Sequence, residues 1–136
     1  MTPQDPSGPP PFRALRILVV DDEEPIRTFV HRVLKEGGHQ PVLAVDGQDA
    51  LAVAKAQGPF ELLLTDVNMP NLMGDELARR LRQDDPALKV LYLTGFSDLL
   101  FKEKLTLWED EAYLDKPCSV KGLLEAISLL AFGRVK

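Results

Sequence analysis

Short apolar runs alternate with helix-like stretches along most of the 136-residue chain. Five runs are rich in Leu, Ile and Val, and they cover residues 15–20, 41–45, 60–65, 88–94 and 112–114. Strands that alternate with helices in this way form a parallel sheet with helices packed on both faces. The pattern therefore predicts an α/β fold built on a five-stranded parallel sheet.

Five helices are predicted between and after these strands. In the first, apolar residues from Ile26 to Leu34 recur at helical spacing and stop before Gly37-Gly38. The other four cover about residues 48–57, 75–83, 97–108 and 119–132. Ser119 is suited to begin the last helix, because a serine side chain accepts a hydrogen bond from a backbone N–H at a helix start.

Composition limits the possible partners and the compartment. Residues 1–12 are rich in proline, which favours extended backbone, so we expect a flexible tail or linker there and one domain over residues 13–136. A net charge of −5 disfavours binding to nucleic acid, and no apolar run approaches the ~20 residues that are needed to span a bilayer. With the single cysteine Cys118 and no secretory signal pattern, we expect a cytoplasmic protein that binds neither nucleic acid nor membrane.

Polar residues stand at the carboxyl ends of four predicted strands. Asp21 and Asp22 come directly after the first strand, and Asp66 follows the third. Thr94 ends the fourth strand, and Lys116 follows the fifth. Because ligands of parallel sheets bind beyond the carboxyl ends of the strands, we expect these five residues to meet at one edge.

The chemistry of this set indicates a phosphoryl site. Three converging carboxylates repel one another unless a cation holds them ionised, and Mg²⁺ takes carboxylate and phosphate oxygens as ligands. The ammonium of Lys116 and the hydroxyl of Thr94 can each contact phosphoryl oxygens. Singly, these residues have simpler interpretations as capping or solvated groups, but together they favour a site. His31 and His39 lie at no ligand spacing, so we expect both at the surface.

Four motifs, in this order, resemble the receiver domain of bacterial response regulators. They are VVDDEEPIR at the first strand, LLLTDVNMP at the third, LTG at the fourth and YLDKP at the fifth. The resemblance covers roughly residues 15–132. It implies a flavodoxin-like, doubly wound sheet of strand order 2-1-3-4-5.

The resemblance also implies a role for each residue of the phosphoryl site. Asp66 would be the phosphoacceptor for a sensor histidine kinase or a phosphotransfer protein, assisted by Lys116. Asp22 would bind Mg²⁺ directly, Asp21 largely through water, and Asn68 through its backbone carbonyl, with Asp66 completing the metal site. Such a domain assists its own phosphorylation and dephosphorylation but is not an enzyme that turns over external substrates.

A switch is implied as well. Thr94 would shift toward the new phosphoryl group, and Tyr113 would turn inward to fill the vacated space. Charge-assisted bonds to the phosphoryl oxygens would bias an element that has two packings. The expected readout surface is the predicted fourth helix, fifth strand and fifth helix, where an unknown downstream protein or a second copy of the chain would bind.

Three features depart from the family pattern. Trp108-Glu109-Asp110-Glu111 replaces the Gly-Ala pair that is common before the fifth strand, and Cys118 stands where Phe is frequent. Phe96 lies two residues beyond Thr94, near the path of hydrolytic water in the family. We hypothesise that Phe96 slows loss of the phosphoryl group.

Other functions fit the sequence less well. A haloacid-dehalogenase-like phosphatase also uses an aspartyl phosphate with Mg²⁺, but it needs Asp-x-Asp after the first strand, where this chain has Asp21-Asp22-Glu23-Glu24. A degenerate receiver kept for protein interaction usually lacks a pocket residue, and glycine-rich nucleotide motifs are absent. A single-domain regulator and a receiver segment of a hybrid histidine kinase or longer regulator both fit the sequence.

Overall fold

The computed structural model describes residues 13–95, except the side chain of Thr94, and residues 110–116 and 118–133. Their elements are β1 (Arg16–Val20), α1 (Glu24–Glu36), β2 (Gln40–Ala44), α2 (Gly47–Gln57), β3 (Leu62–Asp66), α3 (Gly74–Asp84), β4 (Lys89–Thr94), β5 (Glu111–Asp115) and α4 (Val120–Phe132). Each begins and ends within two residues of the sequence prediction. The tail predicted at residues 1–12 and the helix predicted at 97–108 lie outside the described residues, so α4 is the helix predicted fifth.

The strands form one parallel sheet of order β2-β1-β3-β4-β5, as the resemblance to receiver domains implied. One row of paired residues crosses the whole sheet and consists of Leu43, Val19, Leu64, Leu91 and Ala112. The central strand β3 is buried along its full length. This burial explains why its sequence is a continuous apolar run rather than an alternating one.

Two apolar cores lie on opposite faces of the sheet. Alternate strand residues such as Ile17 and Val19 pack with α1 and α4, while their neighbours Leu18 and Val20 pack with α2 and α3. Cys118 packs against the first of these cores, and burial raises the pKa of its thiol. The sheet is therefore covered on both faces, which is the doubly wound, flavodoxin-like arrangement expected from the sequence.

The expectation that His39 lies at the surface is wrong, because His39 is buried in the structure. Only 4% of the residue is exposed, and its Nδ1 accepts a hydrogen bond from the backbone N–H of Leu15 at 3.1 Å. The ring ties the start of β1 to the turn between α1 and β2. Its neighbours Gly38 and Gln40 are polar or small, so no apolar pattern indicated burial. His31 on α1 is partly exposed.

All strands run in one direction, so their carboxyl ends meet at the same edge of the sheet. Asp66 and Thr94 are the last residues of β3 and β4, and Asp115 is the last residue of β5. Thr94 and Asp115 are paired neighbours in the register. Among the described residues, no helix has the length and apolar character needed to cross a membrane.

Candidate functional site at the carboxyl edge of the sheet

Asp21 is held rigidly just beyond β1. It is fully buried, and its Oδ1 accepts a hydrogen bond from the backbone N–H of Glu23 at 2.9 Å. The guanidinium of Arg27 on α1 donates to the Asp21 carbonyl oxygen at 2.7 Å. Sequence reasoning did not single out Arg27, although it lies within the VVDDEEPIR motif. These contacts fix the carboxylate of Asp21 where the strand ends.

Asp21, Asp22 and Asp66 form an acidic cluster. One carboxylate oxygen from each residue lies within 4.8 Å of the others. Asp22 is exposed, whereas Asp66 is only 5% exposed. The Oδ2 atom of Asp21 is buried without a hydrogen-bond partner among the described residues. A buried carboxylate oxygen that accepts no hydrogen bond, within a group of acids, fits a hard divalent cation, which takes oxygen ligands.

Lys116 supplies the positive charge of the site. Its Nζ lies 3.0 Å from Asp21 Oδ2 and 3.3 Å from Asp66 Oδ1. The first contact is an ion pair between two largely buried side chains. A longer contact of 3.5 Å reaches Glu23 Oε1 at the exposed rim. The ammonium therefore bridges two strands of the sheet through their terminal carboxylates.

Burial and mutual repulsion raise the pKa values of the buried acids. Burial, and next the charge of Asp21, raise the pKa of Asp66 to about 6, against a smaller lowering by Lys116. Burial also raises the pKa of Asp21 above its usual value. For Lys116, burial lowers the pKa, but Asp21 and Asp66 outweigh it and raise the pKa overall. Lys116 therefore stays positively charged. Its single charge leaves the neighbouring carboxylates incompletely stabilised, and a second cation would stabilise them further.

Asn68 lies in the loop after β3, two residues beyond Asp66. Val67 and Met69 are buried in the core beneath α2 and α3, whereas Asn68 between them is exposed. Gly74 begins α3, and its N–H donates to the Val67 carbonyl at 2.8 Å. A Cβ on Gly74 would lie 2.2 Å from the carbonyl oxygen of Asp66, so only glycine permits this approach. Sequence reasoning missed Gly74, although its place before Asp75 at a helix start was a usable signal.

The structure describes the side chain of only one of the two residues in the implied switch. Thr94 ends β4 as predicted, but its side chain is outside the described part of the chain, as is Phe96. Tyr113 lies on β5, is 42% exposed, and pairs in register with Tyr92 of β4. The implied switch would take Tyr113 from this exposed position to a buried one.

Comparisons with known proteins agree on one protein family. The model of the response regulator receiver domain matches residues 17–128. The response regulator receiver protein CpdR of Brucella abortus is 34% identical over 112 residues, which cover 82% of this chain and 92% of CpdR. Sensor kinase CckA of the same organism is 30% identical over 82% of this chain, and the match spans 12% of the kinase.

A solved structure supports the same grouping. The response regulator protein TrrA from Thermotoga maritima, in complex with Mg²⁺-BeF, superposes with a TM-score of 0.75 at 32% identity. The match covers 85% of this chain and 98% of the TrrA chain. Strand order, the acidic cluster and the sequence matches agree. The chain belongs to the response regulator receiver domain family and is a receiver domain of two-component signalling.

Proposed function

We propose that this receiver domain accepts a phosphoryl group on Asp66 in a Mg²⁺-dependent reaction. The observation that supports this most strongly is the setting of Asp66. Its buried carboxylate lies within 4.8 Å of Asp21 and Asp22, and the ammonium of Lys116 is 3.3 Å from its Oδ1. A carboxylate oxygen, a group of acids that could hold a cation and a positively charged side chain therefore lie together, and phosphoryl transfer needs a nucleophile and positive charge in this arrangement.

The reaction is a displacement at phosphorus. A carboxylate oxygen of Asp66 forms the new O–P bond while the P–N bond of a phosphohistidine breaks, and the electron pair leaves with the imidazole of the donor. Asp21, Asp22 and the Asn68 carbonyl, with Asp66 itself, would hold Mg²⁺. When bound, Mg²⁺ neutralises charge on the phosphoryl oxygens and on the carboxylates.

Lys116 and Thr94 act on the transferred group. Lys116 starts as the counterion of Asp66, so it needs only a small movement to pair with a phosphoryl oxygen. Thr94, at the end of the neighbouring strand β4, would donate its hydroxyl to another oxygen and shift toward it. Tyr113, on β5, would then turn inward and change the surface that partners recognise.

Partners follow from this chemistry. Receiver domains interact with histidine kinases and phosphotransfer proteins, and we propose one of these as the donor for Asp66. The output would be a downstream protein, or a second copy docking through β5 and α4 together with the helix predicted at 97–108. We further propose a cytoplasmic domain over residues 13–136 with a linker at 1–12. The CckA match supports a receiver segment of a hybrid kinase as a second arrangement.

Stepwise titration tests the proposal. Mg²⁺ and then beryllofluoride, a phosphoryl mimic, are added while backbone NMR shifts are followed in the wild type, in Asp66→Asn and in Asp75→Asn. Asp75 lies in the first turn of α3 and is exposed, so it controls for the loss of one acid nearby. We expect saturable shifts around Asp66 in the wild type and in Asp75→Asn only. A wild type without a beryllofluoride response, or an Asp66→Asn protein with the same response, contradicts the proposal.

A further inference from the structure

β5 is an edge strand whose register is weakly specified by apolar burial. Among the described strands it pairs only with β4. Its inward residues Ala112 and Leu114 are only partly buried. Slippage by one residue would turn Tyr113 to the other face and move Lys116 by ~3.3 Å. The position of both residues therefore depends on what fixes this strand.

Arg82 makes contacts at the start of β5 that could fix it. From the last turn of α3, its Nη1 lies 2.8 Å from Glu111 Oε2, and its Nη2 donates to the Asp110 carbonyl at 3.1 Å. Its Nε donates to the Leu88 carbonyl at 2.9 Å, directly before β4. Only 4% of the Glu111 side chain and 17% of the Arg82 side chain are exposed. One planar guanidinium thus joins α3, β4 and β5 with fixed geometry.

Further contacts surround the same two acidic residues. Lys89 Nζ lies 3.0 Å from Asp110 Oδ1, and the backbone N–H of Val90 donates to the Asp110 carbonyl at 2.9 Å. The hydroxyl of buried Tyr92 lies 3.5 Å from Glu111 Oε2. Asp110 and Glu111 belong to the stretch that departs from the Gly-Ala pair of the family pattern. The ionic contacts at the start of β5 are therefore built from residues that depart from that pattern.

We propose that Arg82 is a positioning residue that fixes the register of β5 on β4 and so places Lys116 and Tyr113. Buried ion pairs contribute little net stability, but they can select one register over another. β5 is held at both ends, by Glu111 to Arg82 and by Lys116 to Asp21 and Asp66. The consequence for Lys116 rests on the proposed function, in which Lys116 exchanges Asp66 for a phosphoryl oxygen. Arg82 keeps the strand in register during that exchange.

The test compares Arg82→Met with Arg79→Met, the same substitution on the same helix. Arg79 pairs with Glu76 at the surface, and its hydrogen bonds within the described part of the chain go to Glu76 rather than to β4 or β5. Interstrand nuclear Overhauser contacts between Val90 and Glu111, and hydrogen exchange of the β5 amides, report the register directly. Mg²⁺ and beryllofluoride affinities report its effect on the site.

The expected results separate the two affinities. The acidic cluster stands at the ends of β1 and β3, so Arg82→Met should not weaken Mg²⁺ binding. A displaced Lys116 competes less for Asp21 and Asp66, so the Mg²⁺ affinity should stay the same or rise, by no more than the several-fold expected when Lys116 is removed. Beryllofluoride also needs Lys116, and a misplacement of about 1 Å can cost about a hundredfold, so we expect at least about tenfold weaker binding. The Val90–Glu111 contact should weaken and the β5 amides should exchange faster. Arg79→Met should match the wild type in every measurement.

The results that overturn the inference differ from the result that overturns the proposed function. Unchanged β5 exchange and beryllofluoride affinity in Arg82→Met would overturn the inference, as would equal weakening of both ligands in folded protein, which indicates a general structural role. If wild type fails to bind beryllofluoride, the proposed function falls, and exchange and interstrand contacts alone judge the register. If Arg82→Met does not fold, Arg82→Lys keeps the charge but not the planar fork, and it should show the same selective loss; wild-type behaviour of Arg82→Lys would overturn the inference.

Discussion

The ammonium of Lys116 lies 3.3 Å from the carboxylate of Asp66, although the two residues stand on different strands, β5 and β3. Lys116 also pairs with Asp21, so one positive charge serves two buried carboxylates. The cluster therefore remains net negative and can accept a divalent cation. In the proposed phosphorylation, this ammonium would exchange Asp66 for a phosphoryl oxygen.

Replacing Lys116 separates metal binding from phosphoryl binding. Lys116→Gln should bind Mg²⁺ several-fold more tightly, because no ammonium competes with the metal for Asp21 and Asp66. Beryllofluoride binding should be lost, since its fluorines lose a positive partner. Calorimetric titration measures both. Glu23→Gln, which removes only the 3.5 Å rim contact, is the control and should leave both affinities unchanged.

Asp66 should make stability depend on pH in EDTA. Burial, and next the charge of Asp21, raise the pKa of Asp66 from 3.8 to about 6, so over this interval the native state holds a proton that the unfolded chain has released. The stabilising contribution of Asp66 to the free energy of unfolding is fully present below pH 3.8 and is lost as the pH rises to about 6. The loss is at most roughly 3 kcal/mol, because a pKa difference of one is worth about 1.4 kcal/mol.

Urea unfolding of wild type and Asp66→Asn across this pH range measures the effect. The free energy of unfolding of the wild type should fall relative to that of Asp66→Asn as the pH rises. Saturating Mg²⁺ should restore the wild type at the upper end of the range. Parallel pH profiles for the two proteins in EDTA would show that the Asp66 carboxyl is not disfavoured by its surroundings.

Gly74→Ala should damage the site without touching a charge. The new Cβ would meet the Asp66 carbonyl oxygen at 2.2 Å, so α3 or the end of β3 must move. We expect a loss of about 1–3 kcal/mol in unfolding free energy, typical of overpacking. Mg²⁺ affinity should also fall, as measured by calorimetry. An unchanged Mg²⁺ affinity would mean that α3 moves and Asp66 does not.

Asp46→Ala should lower the stability of the fold without changing ligand binding at the acidic cluster. Asp46 caps α2, with its Oδ1 accepting a hydrogen bond from the Asp49 N–H at 2.8 Å. Loss of such a cap costs about 1 kcal/mol. Because Asp46 lies outside the acidic cluster, beryllofluoride and Mg²⁺ affinities should stay at wild-type values. Weakened ligand binding in Asp46→Ala would show that the site responds to stability in general.

The sequence predicted the fold well because its local signals agree with the tertiary structure. Buried parallel strands leave continuous apolar runs such as 62–64, and helices leave periodic ones. The rule that ligands bind at the carboxyl ends of strands was enough to bring Asp21, Asp22, Asp66 and Lys116 into one group. Grouping these residues required no knowledge of side-chain geometry, because strand direction alone brings them together.

Other features depend on contacts between distant residues and left no local pattern. The burial of His39 follows from its hydrogen bond to Leu15, and the need for glycine at position 74 follows from the approach of α3 to Asp66. The pairing of Arg82 with Glu111 joins a helix to an edge strand. Each of these residues looks ordinary in the sequence, because its partner is distant along the chain.

Intact-mass spectrometry after incubation with acetyl phosphate and Mg²⁺ tests the central claim most directly. We predict that the wild type gains the mass of one phosphoryl group, that hydroxylamine removes it as expected for an acyl phosphate, and that EDTA prevents the gain. Asp66→Asn should gain nothing, whereas Asp75→Asn should behave as the wild type. A phosphorylated Asp66→Asn protein, or a wild type whose mass does not change, would contradict the assignment of Asp66 as the phosphoacceptor.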